Sequence, residues 1–228
     1  MITGIIQARM GSRRLPGKMT RMLGNYPVIQ WVLERARQAQ MLDCLVLATT
    51  KLSEDDCLKD ASSELGVASF RGDADDVLKR FVDAALQQET TVIVRICADN
   101  PFVAPSEIDR IIRLYLEEAP DYAFNHVPRL GNNYPDGLGA EVLSLGLLER
   151  IDASASGNER EHVTLHIWNH PEKFVIRTVQ CPAAFADPSV KLDVDTAEDL
   201  ALLNRFAQSL SLTSPPAEIL AKARQSLS

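Results

Sequence analysis

The chain is predicted to fold as an α/β protein with a doubly wound, mostly parallel sheet and a small inserted lobe. Three observations lead there. Apolar runs too short for helices alternate with segments of helical periodicity over roughly the first 120 residues, the pattern of parallel strands joined by crossover helices. The first run empties into a loop crowded with cations, as such sheets do where they hold anions at strand ends. A length of 228 residues with 46% hydrophobic content suffices for one core.

Ile2 to Ala8 is apolar and reads as a buried strand. Pro27 to Gln40 is helical, with Val28, Val32, Leu33 and Ala36 at helix spacing. Cys44 to Thr49 is a short parallel strand. Glu54 to Leu65 follows as a helix, with Ser53 as N-cap and Gly66 as stop. Val67 to Phe70 is a brief strand, and Asp75 to Gln87 an amphipathic helix with Val77, Leu78, Phe81, Val82 and Ala85 on one side. Thr91 to Ile96 is dense in β-branched residues and reads as a central strand. Ser106 to Glu118 is a helix capped by Ser106.

After Ala123 the alternation changes. Residues 126–140 are rich in Gly, Pro and Asn and read as a loop. Glu159 to Asn169 is helical, Phe174 to Val179 and Val190 to Asp195 are strands, and Ala197 to Ser209 is a helix closing the sheet. One domain is expected over 1–210, its inserted lobe over about 126–180. A C-terminal tail, 211–228, carries Pro215-Pro216 before a short helix.

The net charge is −7, yet the first 33 residues carry Arg9, Arg13, Arg14, Lys18 and Arg21 and no acid. An acidic chain that concentrates its cations in one loop points to a small anionic ligand rather than a nucleic acid. No apolar stretch reaches the ~18 residues of a membrane span, so no membrane partner is expected. The N-terminus shows no signal-peptide cleavage pattern. Cys44, Cys57, Cys97 and Cys181 are irregularly spaced, without a CxxC pair. A reduced, cytoplasmic setting is the simplest reading.

The basic loop is Ala8-Arg9-Met10-Gly11-Ser12-Arg13-Arg14-Leu15-Pro16-Gly17-Lys18. It is not a P-loop: five residues separate Gly11 from Gly17, and Met19 follows Lys18 where a hydroxyl would hold magnesium. Its glycines let backbone approach a polyphosphate, and its side chains supply charge. Two acidic sites lie at other expected strand ends: Asp99, after the Thr91 strand, and Asp193-Val194-Asp195. Two-residue spacing puts Asp193 and Asp195 on one face of an extended segment. With Asp99 they form an all-oxygen set suited to Mg²⁺ shared with substrate phosphates. Asp195 or Thr196 also suits the cap of the last helix. Arg71, a cation in a loop after a strand, suits a base or phosphate contact, or a surface salt bridge.

His162, His166 and His170 recur every four residues and are expected to share a helix face. The His-Glu-x-x-His pattern is absent, and three histidines on one helix cannot all reach one tetrahedral ion without help. No zinc centre is expected, and His166 and His170 read as surface or interface residues.

Gln7-Ala-Arg-Met-Gly-Ser-Arg-Arg-Leu-Pro-Gly-Lys18 resembles the signature loop of the sugar cytidylyltransferases. That family includes the CMP-sialic acid and CMP-3-deoxy-manno-octulosonate synthetases. The chain most resembles the branch named for a spore coat polysaccharide biosynthesis protein. The resemblance continues through Phe70–Val77, beside the nucleotide in the family, and Asp121–Asn125. It then takes in Asn133–Glu141, Glu161-His162-Val163-Thr164 and the stretch ending at Asp199. It implies a Rossmann-like fold of the nucleotide-diphospho-sugar transferase kind. It also implies a Mg²⁺-dependent nucleotidyltransferase that moves CMP from CTP to a sugar acid of nonulosonic or sialic type. Pyrophosphate is released, in polysaccharide or glycan biosynthesis.

On this resemblance Arg9, Arg14, Lys18 and Asp99 are catalytic. Ala8, Arg9, Met10, Gly11, Ser12, Lys18, Arg71 and Asp99 border the nucleotide. Asn125, Asp136, Gly137, Glu141 and His162 form the sugar pocket. Asp99 and Asp195 hold the metal, with Asp193 the less firmly matched third ligand. A homodimer is implied as well. The rival readings are a nucleotidyltransferase for another sugar or a polyol phosphate, and a glycosyltransferase or nucleotide-sugar binding protein of similar fold. A glycosyltransferase would carry its Asp-x-Asp in mid-chain, whereas here it lies late, at 193–195.

Overall fold

The computed structural model describes residues 1–227. In chain order its strands are β1 (Ile2–Gln7), β2 (Met22–Leu23), β3 (Tyr26–Pro27), β4 (Cys44–Thr50), β5 (Ala68–Gly72), β6 (Val92–Cys97), β7 (Tyr122–Phe124), β8 (Glu141–Ser144) and β9 (Ile176–Thr178). Its helices are α1 (Val28–Ala36), α2 (Asp56–Glu64), α3 (Val77–Gln87), α4 (Pro105–Glu118), α5 (Leu145–Ser154), α6 (Asn158–Glu161), α7 (Leu165–Asn169), α8 (Ala197–Ala207) and α9 (Pro216–Leu227). Seven strands form one sheet in the order β5-β4-β1-β6-β8-β7-β9, and β2 pairs with β3 alone. The sheet is mostly parallel, as expected. Only β8 runs against its neighbours β6 and β7.

Alternation along each strand splits the core into two layers. Ile6, Leu47, Val94 and Ile96 pack on one side with α1, α4, α8 and α9. Ile5, Ala48 and Ile93 pack on the other with α3, α5 and α7. Strands buried on both faces read as continuous apolar runs, which is why β1, β4 and β6 were legible. From β1 the chain crosses to β4 and β5 on one side, then returns to lay β6 on the other side of β1. Loops leaving β1 and β6 therefore diverge, and the crevice between them is the switch point where such sheets bind ligands.

Several local expectations are corrected. Ser53 does not cap α2: it opens a 3-10 turn, Ser53–Asp55, and Asp55 precedes the helix. Ser106 does not cap α4, which is entered through Ala104 with Pro105 at its first position, where a missing N–H is harmless. Glu159 to Asn169 is two short helices, because the backbone turns extended at His162 (φ −114°, ψ 93°). The turn buries Val163 and lets Thr164 reach Glu141. Residues 190–195 do not join the sheet. They make one isolated bridge, Lys191 with Asp136, and hydrogen-bond to loops, through Leu192 N to Asp136 O (3.0 Å) and Val194 N to Asp99 O (2.8 Å). Strands β7 and β8 and helix α5 carried no expectation. The segment expected as an inserted lobe, 126–180, supplies β8 to the interior of the sheet and β9 to its edge. In the expected tail, α9 buries Ile219, Leu220 and Ala223 in the core. Among the described residues no helix is long and apolar enough to cross a membrane. The four cysteines are unpaired.

The loop entering β8 passes very close to buried Asn125. Asn125 donates to Glu107 O (2.9 Å) and accepts from Ala140 N (2.9 Å). A Cβ at Gly139 would collide with the carbonyl and side-chain oxygens of Asn125 and lie 2.6 Å from its Cγ. Gly139→Ala is therefore expected to destabilise the fold by about 1–3 kcal/mol through overpacking. An unchanged thermal midpoint would show that the loop can give way.

Candidate active site

Two loops close on the crevice from opposite sides. The basic loop leaves β1 and is tied down at both ends. Met10 N donates to Asp55 Oδ1 (2.6 Å), and Asp55 accepts from Thr50 on β4. Gly17, at φ +69°, turns the chain into the 3-10 turn Lys18–Thr20, and buried Leu15 and Met19 anchor it. Lys18 is thereby held with its stem packed away and its ammonium facing the acids. Its Nζ lies 3.4 Å from Asp195 Oδ1 and 3.6 Å from Asp99 Oδ2. Arg14 also meets Asp195, at 2.9 Å. The bond from Val194 N to Asp99 O is what brings the two acidic segments together.

The capping question resolves in favour of Thr196. Thr196 and Asp199 form a capping box at α8, leaving the Asp195 carboxylate to the site. Asp136 joins the acids through its backbone ladder with Val190 and Leu192. Burial, reinforced by Asp193 and then Asp99 and Asp195, raises the Asp136 carboxyl to about 6 against the pull of Lys191. Asp193 is raised too, by burial first and by Asp99 and Asp195, and its Oδ1 is buried without a hydrogen-bond partner. Lys191 holds the other oxygen at 3.3 Å.

A cavity of about 360 Å³ lies over the ends of β1 and β6. Of the residues expected at the nucleotide and the chemistry, Ala8, Arg9, Gly11, Ser12, Arg14, Lys18 and Asp99 line it. Arg13, Arg80, Arg95 and Glu161 do too, and so does His162, which was expected in the sugar pocket. Arg9 bridges its wall, donating to Ala74 O (3.2 Å) and pairing with Glu161 (3.1 Å). A second cavity, of about 500 Å³, meets the first at Arg95 and His162. Its walls include His126, Arg129, Glu141, Thr164 and Trp168.

Some expected residues serve elsewhere. Arg71 does not line the first cavity. Its guanidinium is spent on Thr50 O (2.7 Å), Leu52 O (2.7 Å) and Asp56 (2.5 Å), bracing the loop after β4. Met10 gives its backbone to Asp55 rather than its side chain to the cavity. Asn125, Asp136 and Gly137 line neither cavity. Asn125 and Gly137, whose N–H donates to His126 O (2.8 Å), fix the loop that carries His126. Glu141 lies in the second cavity but is almost fully enclosed, bonded to Arg95, Tyr122 (2.5 Å) and Thr164 (2.7 Å).

Sequence reasoning missed Arg80, Arg95, His126, Arg129 and Trp168. Arg80 is buried at the start of α3, bonded to the carbonyl of Asp73. The guanidinium of Arg129 stacks 4.1 Å from the Trp168 ring and meets no carboxylate among the described residues. His126 has a buried, unpartnered Nδ1, and burial lowers its pKa. The one available signal was charge where apolar residues belong, as with Arg95 inside the Val92–Cys97 strand.

A cation-lined crevice at the β1/β6 switch point, with Asp99 on its wall and a second cavity beside it, defines a nucleotidyltransferase-like site on a doubly wound sheet. The family profile described as Cytidylyltransferase matches residues 3–214, and the chain belongs to that family. It is 38% identical over 202 residues to spore coat polysaccharide biosynthesis protein SpsF of Bacillus subtilis, covering 86% of this chain and 81% of that one. It is 33% identical over 119 residues to the 3-deoxy-manno-octulosonate cytidylyltransferase of Pelobacter propionicus, covering 51% of this chain and 45% of that one. Among solved structures, a cytidylyltransferase from Leptospira borgpetersenii superposes with a TM-score of 0.89 at 28% identity, over 98% of this chain and 94% of that one.

Proposed function

We propose that the chain transfers CMP from CTP to a sugar acid, of the nonulosonic or sialic kind, with release of pyrophosphate. The observation that carries this reading is the pair of cavities joined at Arg95 and His162, one lined by the basic loop and the other by Arg129 and His126. CTP lies in the first with its triphosphate on Arg9, Arg14 and Lys18. The ion pairs that now occupy Arg9 and Arg14 are partly exposed and worth about 0–1 kcal/mol each, so a polyphosphate displaces them readily. The acceptor lies in the second, and its hydroxyl attacks the α-phosphorus in line at the junction. Positioning and charge stabilisation do most of the work, with Lys18 matched to the charge that builds on the leaving pyrophosphate.

The donor chemistry suits a hard divalent cation, though among the described residues these carboxylates do not gather within 4.8 Å of one another. Asp99, Asp193 and Asp195 offer only oxygens, one of them buried and unpartnered. Asp99 and Asp195, with Asp193, would hold Mg²⁺, which supplies Lewis-acid polarisation of the α-phosphate. Named relatives support the substrate class: one is a polysaccharide biosynthesis protein and another acts on 3-deoxy-manno-octulosonate. A cytoplasmic homodimer is part of the same reading, and light scattering tests the dimer: a monomer removes it.

The test is pyrophosphate release from each of the four NTPs with Mg²⁺ against sugar acids, neutral sugars and polyol phosphates. Release only with CTP and one sugar acid is the expected result. Release with a polyol phosphate would select the rival acceptor, and calorimetry showing no nucleotide binding would remove the function. Arg129→Ala is expected to raise KM for the acceptor by about tenfold or more, the loss of a bidentate charged contact. KM for CTP should stay within about threefold, since Arg129 lines only the second cavity. Equal effects on both substrates would place Arg129 in the scaffold instead.

A further inference from the structure

Helix α6 and the outer side of α7 bring together a cluster that the proposed reaction does not use. Because the chain breaks at His162, that histidine leaves the expected stripe and a carboxylate takes its place. His166 Nδ1 lies 2.8 Å from Glu159 Oε2, and the rings of His166 and His170 are 4.8 Å apart. One ligand atom from each of Glu159, His166 and His170 lies within 4.8 Å of the others, and all three residues are half-buried. Asn169 Nδ2 donates to Glu159 Oε1 at 2.7 Å, which holds one carboxylate oxygen and leaves the other toward the imidazoles. The ring of His170 hydrogen-bonds nothing among the described residues.

Two imidazoles and one carboxylate are a donor set for zinc and its neighbours, with a fourth position left to water. Bonds of ~2.0–2.1 Å at tetrahedral angles place ligand atoms roughly 3.3 Å apart, so small side-chain rotations close the set. Asn169 is the outer hydrogen bond that such carboxylates require. Magnesium, which takes all-oxygen sites, is a poor match here.

We propose that Glu159, His166 and His170 bind a zinc-class divalent ion, separate from the carboxylates around Lys18, and that this ion braces the wall shared by the two cavities. Helix α6 buries none of its own residues. It is moored by ion pairs, Arg160 to Asp76 (2.7 Å) and Asp152 (2.6 Å), and Glu161 to Arg9 of the basic loop (3.1 Å). Such partly exposed pairs open easily. An ion on Glu159 would cross-link α6 to the end of α7, fixing Glu161 and His162, which line the first cavity. The bracing role rests on the cavities being the reaction site. The binding itself does not.

Calorimetry with zinc chloride on the whole chain, in excess Mg²⁺ to occupy the carboxylates near Lys18, tests the site. One equivalent binding at micromolar or tighter affinity is expected. His170→Gln and His166→Gln should each weaken it by about tenfold or more with the thermal midpoint kept. Cobalt(II) gives a second readout: the intense visible bands of a tetrahedral ion should form in the native protein and vanish in His170→Gln. Zinc should also slow hydrogen exchange across residues 158–170 in the native protein alone. No binding tighter than millimolar, or binding that both histidine variants leave intact, overturns the site. Binding without slowed exchange overturns the brace. None of these readouts depends on turnover, so they stand apart from failure of the cytidylyl-transfer reading.

Discussion

Lys18→Ala is expected to lower kcat/KM for CTP by about 10²–10³-fold, the loss seen when one preorganised donor to developing charge is removed. Lys18 is the deepest cation of the basic loop: its side chain is 11% exposed against 66% for Arg14. Its position is set by backbone, through left-handed Gly17 and the 3-10 turn that follows, not by the ligand. It also stands between Asp99 and Asp195, the carboxylates proposed to hold the cation. The drop should fall mainly on kcat, because negative charge on the β- and γ-phosphates builds as the bond to the α-phosphorus breaks. Arg13→Ala is the control. Arg13 lines the same cavity from an exposed position and is expected to change kcat/KM by less than about threefold. Steady-state kinetics with calorimetric CTP affinity separate the two variants. Near-normal turnover of Lys18→Ala would remove Lys18 from the reaction.

What the sequence made legible follows the same physics. Strands β1, β4 and β6 are buried on both faces and announce themselves as apolar runs. The basic loop stands out because its charge opposes that of the chain. Asp99 and Asp195 were visible because acids sat where strands should end. Strands β7 and β8 were not, since three or four buried residues between turns give periodicity nothing to register. Residues 190–195 were expected as a strand but make only an isolated bridge at Lys191, with hydrogen bonds to loops, and no local pattern distinguishes a ladder from a tether. Arg71 suits a ligand contact or a surface salt bridge by sequence; it pairs with Asp56 and also with two backbone carbonyls, which sequence cannot show. Most of the second cavity stayed hidden. Arg129 and Trp168 are 39 positions apart and become a unit only through the fold.

Glu141→Gln should destabilise the native state by about 3–5 kcal/mol, the usual result of stripping one partner from a buried ion pair. For a chain of this size that is a fall of roughly 10 °C in thermal midpoint. Glu141 and Arg95 sit directly opposite each other on β8 and β6. Thr164 reaches the same carboxylate from the turn between α6 and α7, and Tyr122 from β7. Glutamine keeps one acceptor, loses the charge, and leaves a guanidinium without compensation. Burial alone would raise the Glu141 carboxyl. Arg95, then His126, Tyr122 and Thr164 outweigh it and hold it at about 2. A folded pKa below the unfolded value of ~4.3 means the contribution is complete above that value and is lost as pH falls toward 2. The gap between native and variant, read by denaturant unfolding, should therefore be widest near neutrality and narrower at pH ~3. A gap unchanged down to that pH would mean that ionisation of Glu141 is not what holds β6, β8 and the α6–α7 turn together. Arg95 lines both cavities, so the same variant should also raise KM for the acceptor. This links the pair that stabilises the sheet to the junction where the two substrates are proposed to meet.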